Sequence, residues 1–127
     1  MRKFALVVIL IVTLALAACA PAKAPAARAV EDYLNALVAK DSSRLSALSC
    51  ADWEPSALLE LDSLQAVDVR LEGLSCSVTG TDGDITLVSC QGKIIATYNN
   101  EDQQIDLSVR TYNVVNQGGE SLVCGYR

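Results

Sequence analysis

The sequence predicts an α+β domain, with N-terminal helices packed on a curved four-stranded antiparallel meander. Three observations predict it. Apolar residues recur at near-helical spacing as far as Leu64, they alternate with period two from Ala66 onward, and turn signals separate the alternating runs. Helices that precede the strands, instead of interleaving with them, segregate to one face of an antiparallel sheet.

Each element has its own signal. Ala29 to Lys40 reads as the first helix, with Val30, Tyr33, Leu34, Leu37 and Val38 forming one apolar stripe. Glu31 and Asp32 are expected in its first turn and Lys40 in its last, where each suits the helix dipole. Asp41-Ser42-Ser43 supplies the cap of a short second helix carrying Leu45 and Leu48. Pro55 suits the start of a third helix, with Ala57, Leu58, Leu61 and Leu64 on it.

Val67, Val69 and Leu71 then alternate with polar residues, and the apolar phase slips at Gly73 to Leu74, Cys76 and Val78. A glycine at the slip predicts a β-bulge. Thr81-Asp82-Gly83-Asp84 is a hairpin turn. The second strand, Ile85 to Tyr98, carries Val88, Cys90, Ile94 and Ala96 on one face. Asn99 to Asp102 turns into a third strand with Ile105, Leu107 and Val109 inward and Asp106, Ser108 and Arg110 outward. Gly118-Gly119 leads to a fourth strand carrying Leu122, Cys124 and Tyr126.

The N-terminus has the order of a secretory signal. Arg2 and Lys3 precede a 13-residue apolar run, Phe4 to Leu16, which is too short for a membrane span. Leu16-Ala17-Ala18-Cys19 resembles the lipobox of bacterial lipoproteins, where cleavage before the cysteine leaves lipid on its thiol. That resemblance implies a signal peptide over residues 1–18 and a protein held by lipid on Cys19 at the extracytoplasmic face of a cell membrane. Residues 19–28, rich in alanine and proline, read as a tether, and residues 29–127 as a single α+β domain.

Composition narrows the function. Removing Arg2 and Lys3 with the signal takes the formal net charge from −5 to −7. That is unsuited to nucleic acid, whose phosphates require clustered cations. The sequence has no histidine, so it lacks the usual general base and the commonest zinc ligand. No cofactor motif is present, and none is expected to bind. Four cysteines remain besides Cys19. They are separated by 25, 13 and 33 residues, which does not match the close knuckles of a structural zinc site. In an exported domain they read as two disulfides. In a meander, alternate strands lie too far apart to be bridged. That leaves Cys76 with Cys90 across the first hairpin and Cys50 with Cys124 between the helices and the last strand.

The pattern Val30-x-x-Tyr33-Leu34-x-Ala36-Leu37-x-x-x-Asp41-x-x-x-Leu45-x-x-Leu48, followed by a third helix and long bulged strands, resembles the nuclear-transport-factor-2-like superfamily. Ser121 to Tyr126 looks like its closing strand. The resemblance implies a sheet wrapped around helices to form a cone. The superfamily holds isomerases and cyclases as well as non-catalytic binding domains, and fold alone does not choose between them. No acid–tyrosine set can be matched residue by residue. The expected role is therefore a non-catalytic binding or accessory module for a small apolar ligand or an envelope protein, with a pocket that is small or filled. The alternatives are an enzyme that uses a buried carboxylate on a small hydrophobic substrate, and a protein-binding or inhibitory module that acts through its sheet surface. Val69, Val88, Ile94, Leu107, Val109 and Leu122 are expected to face the helices. Tyr33 is read as core, while Trp53, Tyr98 and Tyr112 are the aromatics expected at the pocket rim.

Overall fold

The change of apolar period near Ala66 is also the change of structure. The computed structural model describes residues 22–127. The signal segment and Cys19 lie outside the described residues. Three helices come first: α1 (Pro25–Val38), α2 (Ser42–Ala47) and α3 (Glu54–Ser63). Five antiparallel strands follow: β1 (Asp68–Asp82), β2 (Ile85–Tyr98), β3 (Glu101–Asp106), β4 (Thr111–Gln117) and β5 (Glu120–Tyr126). No helix among the described residues is long and apolar enough to cross a membrane.

Helix α1 begins at Pro25, inside the stretch read from sequence as tether. Proline at the first helical position and three alanines behind it favour a helix start, and Ala26 and Ala27 are buried. Glu31 and Asp32 consequently sit in the second turn, not the first. The predicted stripe forms the buried face, with Val30, Tyr33, Leu34 and Leu37 fully buried. Past the helix, Lys40 adopts a left-handed φ of 57°. Its ammonium donates to the carbonyls of Gln65 (3.2 Å) and Val67 (2.8 Å), pinning the α3–β1 connection to the end of α1. Asp41 caps α2 by accepting from the Arg44 amide at 3.0 Å.

The sheet runs β1-β2-β4-β5, and β3 also pairs with β2. The start of β2 (Ile85–Ser89) pairs with β4 and its end (Lys93–Tyr98) with β3. The predicted third strand is thus two strands end to end, separated by a 3-10 turn over Leu107–Val109. The break has a local cause. The Asp106 carboxylate accepts from the Ser108 amide at 2.8 Å and its hydroxyl at 2.7 Å, a side-chain turn that competes with the ladder. Leu107 stays buried, but Val109 is rotated out to 75 % exposure.

The last strand departs from its predicted phase. Tyr112 pairs with Tyr126 and Val114 with Val123, so β5 carries one extra residue between those pairs. Gly125 stands in this bulge at φ 111°, and a Cβ there would lie 3.2 Å from the Trp53 ring. Val123, not Leu122, therefore enters the core, and Tyr126 follows on the same face. Of the six aliphatics expected against the helices, Val88, Ile94 and Leu107 lie in the core and Val69 packs against it. Val109 is exposed, and Leu122 lies outside this core.

Both cysteine pairs are at disulfide distance. Cys76 and Cys90 stand directly opposite each other on β1 and β2, with Cα atoms 4.0 Å apart. Cys50 and Cys124 tie the α2–α3 connection to β5 at 5.3 Å. Beside the second pair, Cys50 N–H donates to Val123 C=O (2.9 Å) and Val123 N–H to Leu48 C=O (2.8 Å), so this connection closes the outer edge of β5.

The bulge predicted at Gly73 is present, with three β1 residues spanning what two span on β2. Gly92 lies across from it at φ 99°, where a Cβ would come within 2.5 Å of the Glu72 carbonyl oxygen; a Cβ on Gly73 would meet nothing closer than 3.9 Å. Gly92→Ala should therefore cost roughly 2–3 kcal/mol in urea unfolding, combining left-handed strain with a backbone clash. Gly73→Ala should cost about 1 kcal/mol from strain alone. Equal losses would show that the close approach of the two strands is not what requires Gly92.

Glu31, freed from the first turn, serves β1. Its carboxylate accepts from the Cys76 amide at 2.9 Å and pairs with Lys23, satisfying a backbone donor on an edge strand. Burial by itself pushes the Glu31 carboxyl up. The Lys23 and Cys76 hydrogen bonds and the charges of Lys23 and Arg28 outweigh it, so the group lies below its ordinary 4.5. A carboxyl depressed in the folded state contributes stability above its unfolded pKa and loses it as pH falls through the folded one. Thermal unfolding should therefore show a loss as pH drops below about 4.5 that is smaller in Glu31→Gln. The same acid profile in both proteins would contradict the assignment.

Candidate functional site

At the end of the helix layer, α3, β4 and β5 bring together a group of polar and aromatic side chains. Trp53, at the cap of α3, donates its indole N–H to the Tyr33 hydroxyl at 3.0 Å. Its ring meets Tyr126 edge-on at 5.6 Å, and Tyr126 in turn packs on Tyr112 at 5.5 Å. Such tilted aromatic pairs add to the stability that burial provides.

Two charges enter this aromatic group. Arg110 leaves the 3-10 turn toward α3, where it pairs with Glu60 at 3.2 Å and lies over the Tyr126 ring at 4.1 Å. Both side chains are more than four-fifths buried, so the pair is screened far less than the surface pairs. The alternation of the sequence predicts Arg110 outward with Asp106; instead Asp106 is taken by Ser108. The Tyr126 hydroxyl donates to the same Glu60 oxygen, Oε1, at 3.4 Å. The second oxygen, Oε2, is buried with no protein partner, as are the Tyr112 hydroxyl and Asn113 Oδ1. Burial pushes the Tyr112 hydroxyl up; Arg110 is near enough to oppose that rise, yet it makes no geometrically sound hydrogen bond to the hydroxyl. Burial likewise raises Tyr126, with the Glu60 charge adding to it, and both phenols stay protonated at neutral pH.

The aromatics read from sequence as rim residues do not stay together. Trp53 and Tyr112 join this group, Tyr112 fully buried as core and not at a rim, while Tyr98 ends β2 at 60 % exposure, far along the sheet from them. Glu60 carries no signal in the sequence. It follows Leu59, which is 71 % exposed, and looks like part of a solvated helix face; only the fold brings Arg110 to it.

Chemically, the group offers a partnered carboxylate with one free acceptor oxygen, a guanidinium and a free phenol. Its unpartnered atoms, Glu60 Oε2 and the Tyr112 hydroxyl, are themselves buried, so a polar group must enter the cluster to reach them. Behind it, the space between helices and sheet is filled by Tyr33, Tyr112, Leu34, Leu37, Leu61 and Val88. No known protein family matches the chain, and no curated protein sequence matches it.

Proposed function

We propose that this chain is an envelope lipoprotein, anchored through lipid on Cys19, whose domain is a non-catalytic binding or accessory module of nuclear-transport-factor-2-like type. The observation that carries this reading is the filled helix–sheet interior, where two buried tyrosines and the aliphatic face of α1 occupy the space a cone would leave for substrate. The disulfides support export, since such bonds persist in oxidising compartments. On this reading the superfamily's third long strand is broken by the Asp106–Ser108 turn. Recognition falls to the outside of the domain. Leu59 and Val109, 71 % and 75 % exposed, each directly precede a member of the Glu60–Arg110 pair and give the site apolar flanks, as suits a protein partner or a small apolar ligand. Native mass spectrometry of protein extracted from its own membrane tests this. A bound partner or ligand lost on Leu59→Asp and Val109→Asp supports the reading; retention despite both changes counts against it.

A second reading is an enzyme acting on a small hydrophobic substrate with Glu60 as base. It is favoured by two buried, unpartnered groups, Glu60 Oε2 and the Tyr112 hydroxyl, the second of which feels the Glu60 charge. Turnover of a ketosteroid, epoxide or small ester that is abolished in Glu60→Gln would establish it.

A further inference from the structure

The outer face of the sheet carries a cleft that shares no residue with the Glu60 group. In register across three strands, Glu72 on β1 stands opposite Lys93 on β2, and Lys93 opposite Asp106 on β3. Strands lie about 4.8 Å apart, so Lys93 rises from the sheet between two acidic residues, with its ammonium turned to Gln104. Beside this row the bulge puts Gly73 and Gly92 face to face, and Gln104 borders it from the neighbouring row. These six residues line an open cleft of about 660 Å³, within the range of small-molecule sites.

The cleft is built rather than incidental. Its floor carries no side chains, because Gly92 has no room for one and Gly73 sits in a left-handed bulge. Lys93 is steadied by donating to Gln104 Oε1 at 3.2 Å, which leaves it donors to spare and leaves the Gln104 amide group free to donate. Asp106 is held by Ser108, whose hydroxyl and amide keep its carboxyl below the ordinary range and so ionised. Glu72 has only a 4.0 Å approach from Arg70, beyond hydrogen-bond distance, so its acceptors are open. Further along, Arg70, Thr97 and Asp102 are tied together by hydrogen bonds, with Ile95 in the row between them only 1 % exposed. Lys93, Gln104 and Asp106 are thus held by hydrogen bonds, while Glu72 is left open.

We propose that this cleft binds a neutral saccharide. A sugar ring presents hydroxyls that both donate and accept around its rim, matching two carboxylates, an ammonium and an amide. It also presents a flat C–H face, matching the bare glycine floor. Two carboxylates repel an anionic ligand, and Lys93 offsets part of their pull on a cationic one.

Saturation-transfer NMR on the full-length protein in a zwitterionic detergent tests this, with chitobiose, cellobiose and maltose as neutral probes, glucose 6-phosphate as the anion and spermidine as the cation. At least one neutral disaccharide should bind with a Kd on the order of 1 mM. Gln104→Ala and Lys93→Met should each weaken it about tenfold, the effect of one lost hydrogen bond in a small-ligand site, and Asp62→Asn on α3 should leave it unchanged. No transfer to any of the three sugars at about 10 mM, tighter binding of the phosphate or the polyamine, or an affinity indifferent to both cleft substitutions would overturn the proposal.

Discussion

Replacing Cys50 and Cys124 together by serine should cost about 4.5 kcal/mol of unfolding free energy, the largest loss expected from any pair of side chains here. The bond spans a sequence separation of 74, and the loop-closure entropy it removes from the unfolded chain grows with that length. It also anchors the only backbone hydrogen bonds between β5 and the α2–α3 connection that are seen among the described residues. Cys76→Ser with Cys90→Ser removes a bond of sequence separation 14 and should cost about 3 kcal/mol. The long-range pair should therefore lower the thermal midpoint on the order of 20 °C or more, and further than the hairpin pair. Equal or reversed losses in urea unfolding would show that native strain or residual unfolded-state structure, not loop length, governs the two bonds.

The second large effect belongs to the Glu60–Arg110 pair. Arg110→Met removes the guanidinium and leaves Glu60 charged in surroundings that exclude most water, with only the Tyr126 hydroxyl to satisfy it. Losing one partner of a buried pair costs roughly 3–5 kcal/mol; the one-fifth exposure of these side chains reduces that to about 2–3 kcal/mol. Part of the loss, about 0.5–1 kcal/mol, comes from the cation over the Tyr126 ring. Glu60→Gln should cost less, about 1–2 kcal/mol, since an amide can still accept from Arg110. The double variant Glu60→Leu, Arg110→Met should be less destabilised than the sum of its single changes by about 1 kcal/mol or more. Additive losses would mean that the two groups are solvated separately.

How much of this was legible in the sequence depends on which interaction decides each element. Helix faces were legible because one period governs them: Val30, Tyr33, Leu34 and Leu37 share a face in any helix of that sequence, wherever it begins. The cysteine pairing was legible because a hairpin sets Cys76 against Cys90 and the meander then leaves Cys50 for Cys124. The misses arise where a local side-chain bond competes with the ladder. Asp106 and Ser108 break the third strand, and the signal for it, an Asp followed two residues later by Ser, is a recognised turn former. Gly125 shifts the phase of β5, and an isolated glycine within a strand is itself a bulge signal. The start of α1 at Pro25 was hidden by an alanine–proline composition that suits a tether as well as a helix. Glu60 was not legible at all, because its partner lies 50 residues away and reaches it only after the third strand has broken.

Lipid anchoring depends on Cys19. Intact-mass and N-terminal peptide analysis of the protein recovered from membranes reads that residue directly. The expected result is a chain that begins at Cys19, lacks residues 1–18 and carries a diacylglyceryl group on the cysteine thiol, with Cys19→Ser found unprocessed or released from the membrane. A membrane-bound chain that keeps Met1, or one cleaved with an unmodified Cys19 thiol and still retained as Cys19→Ser, would contradict it.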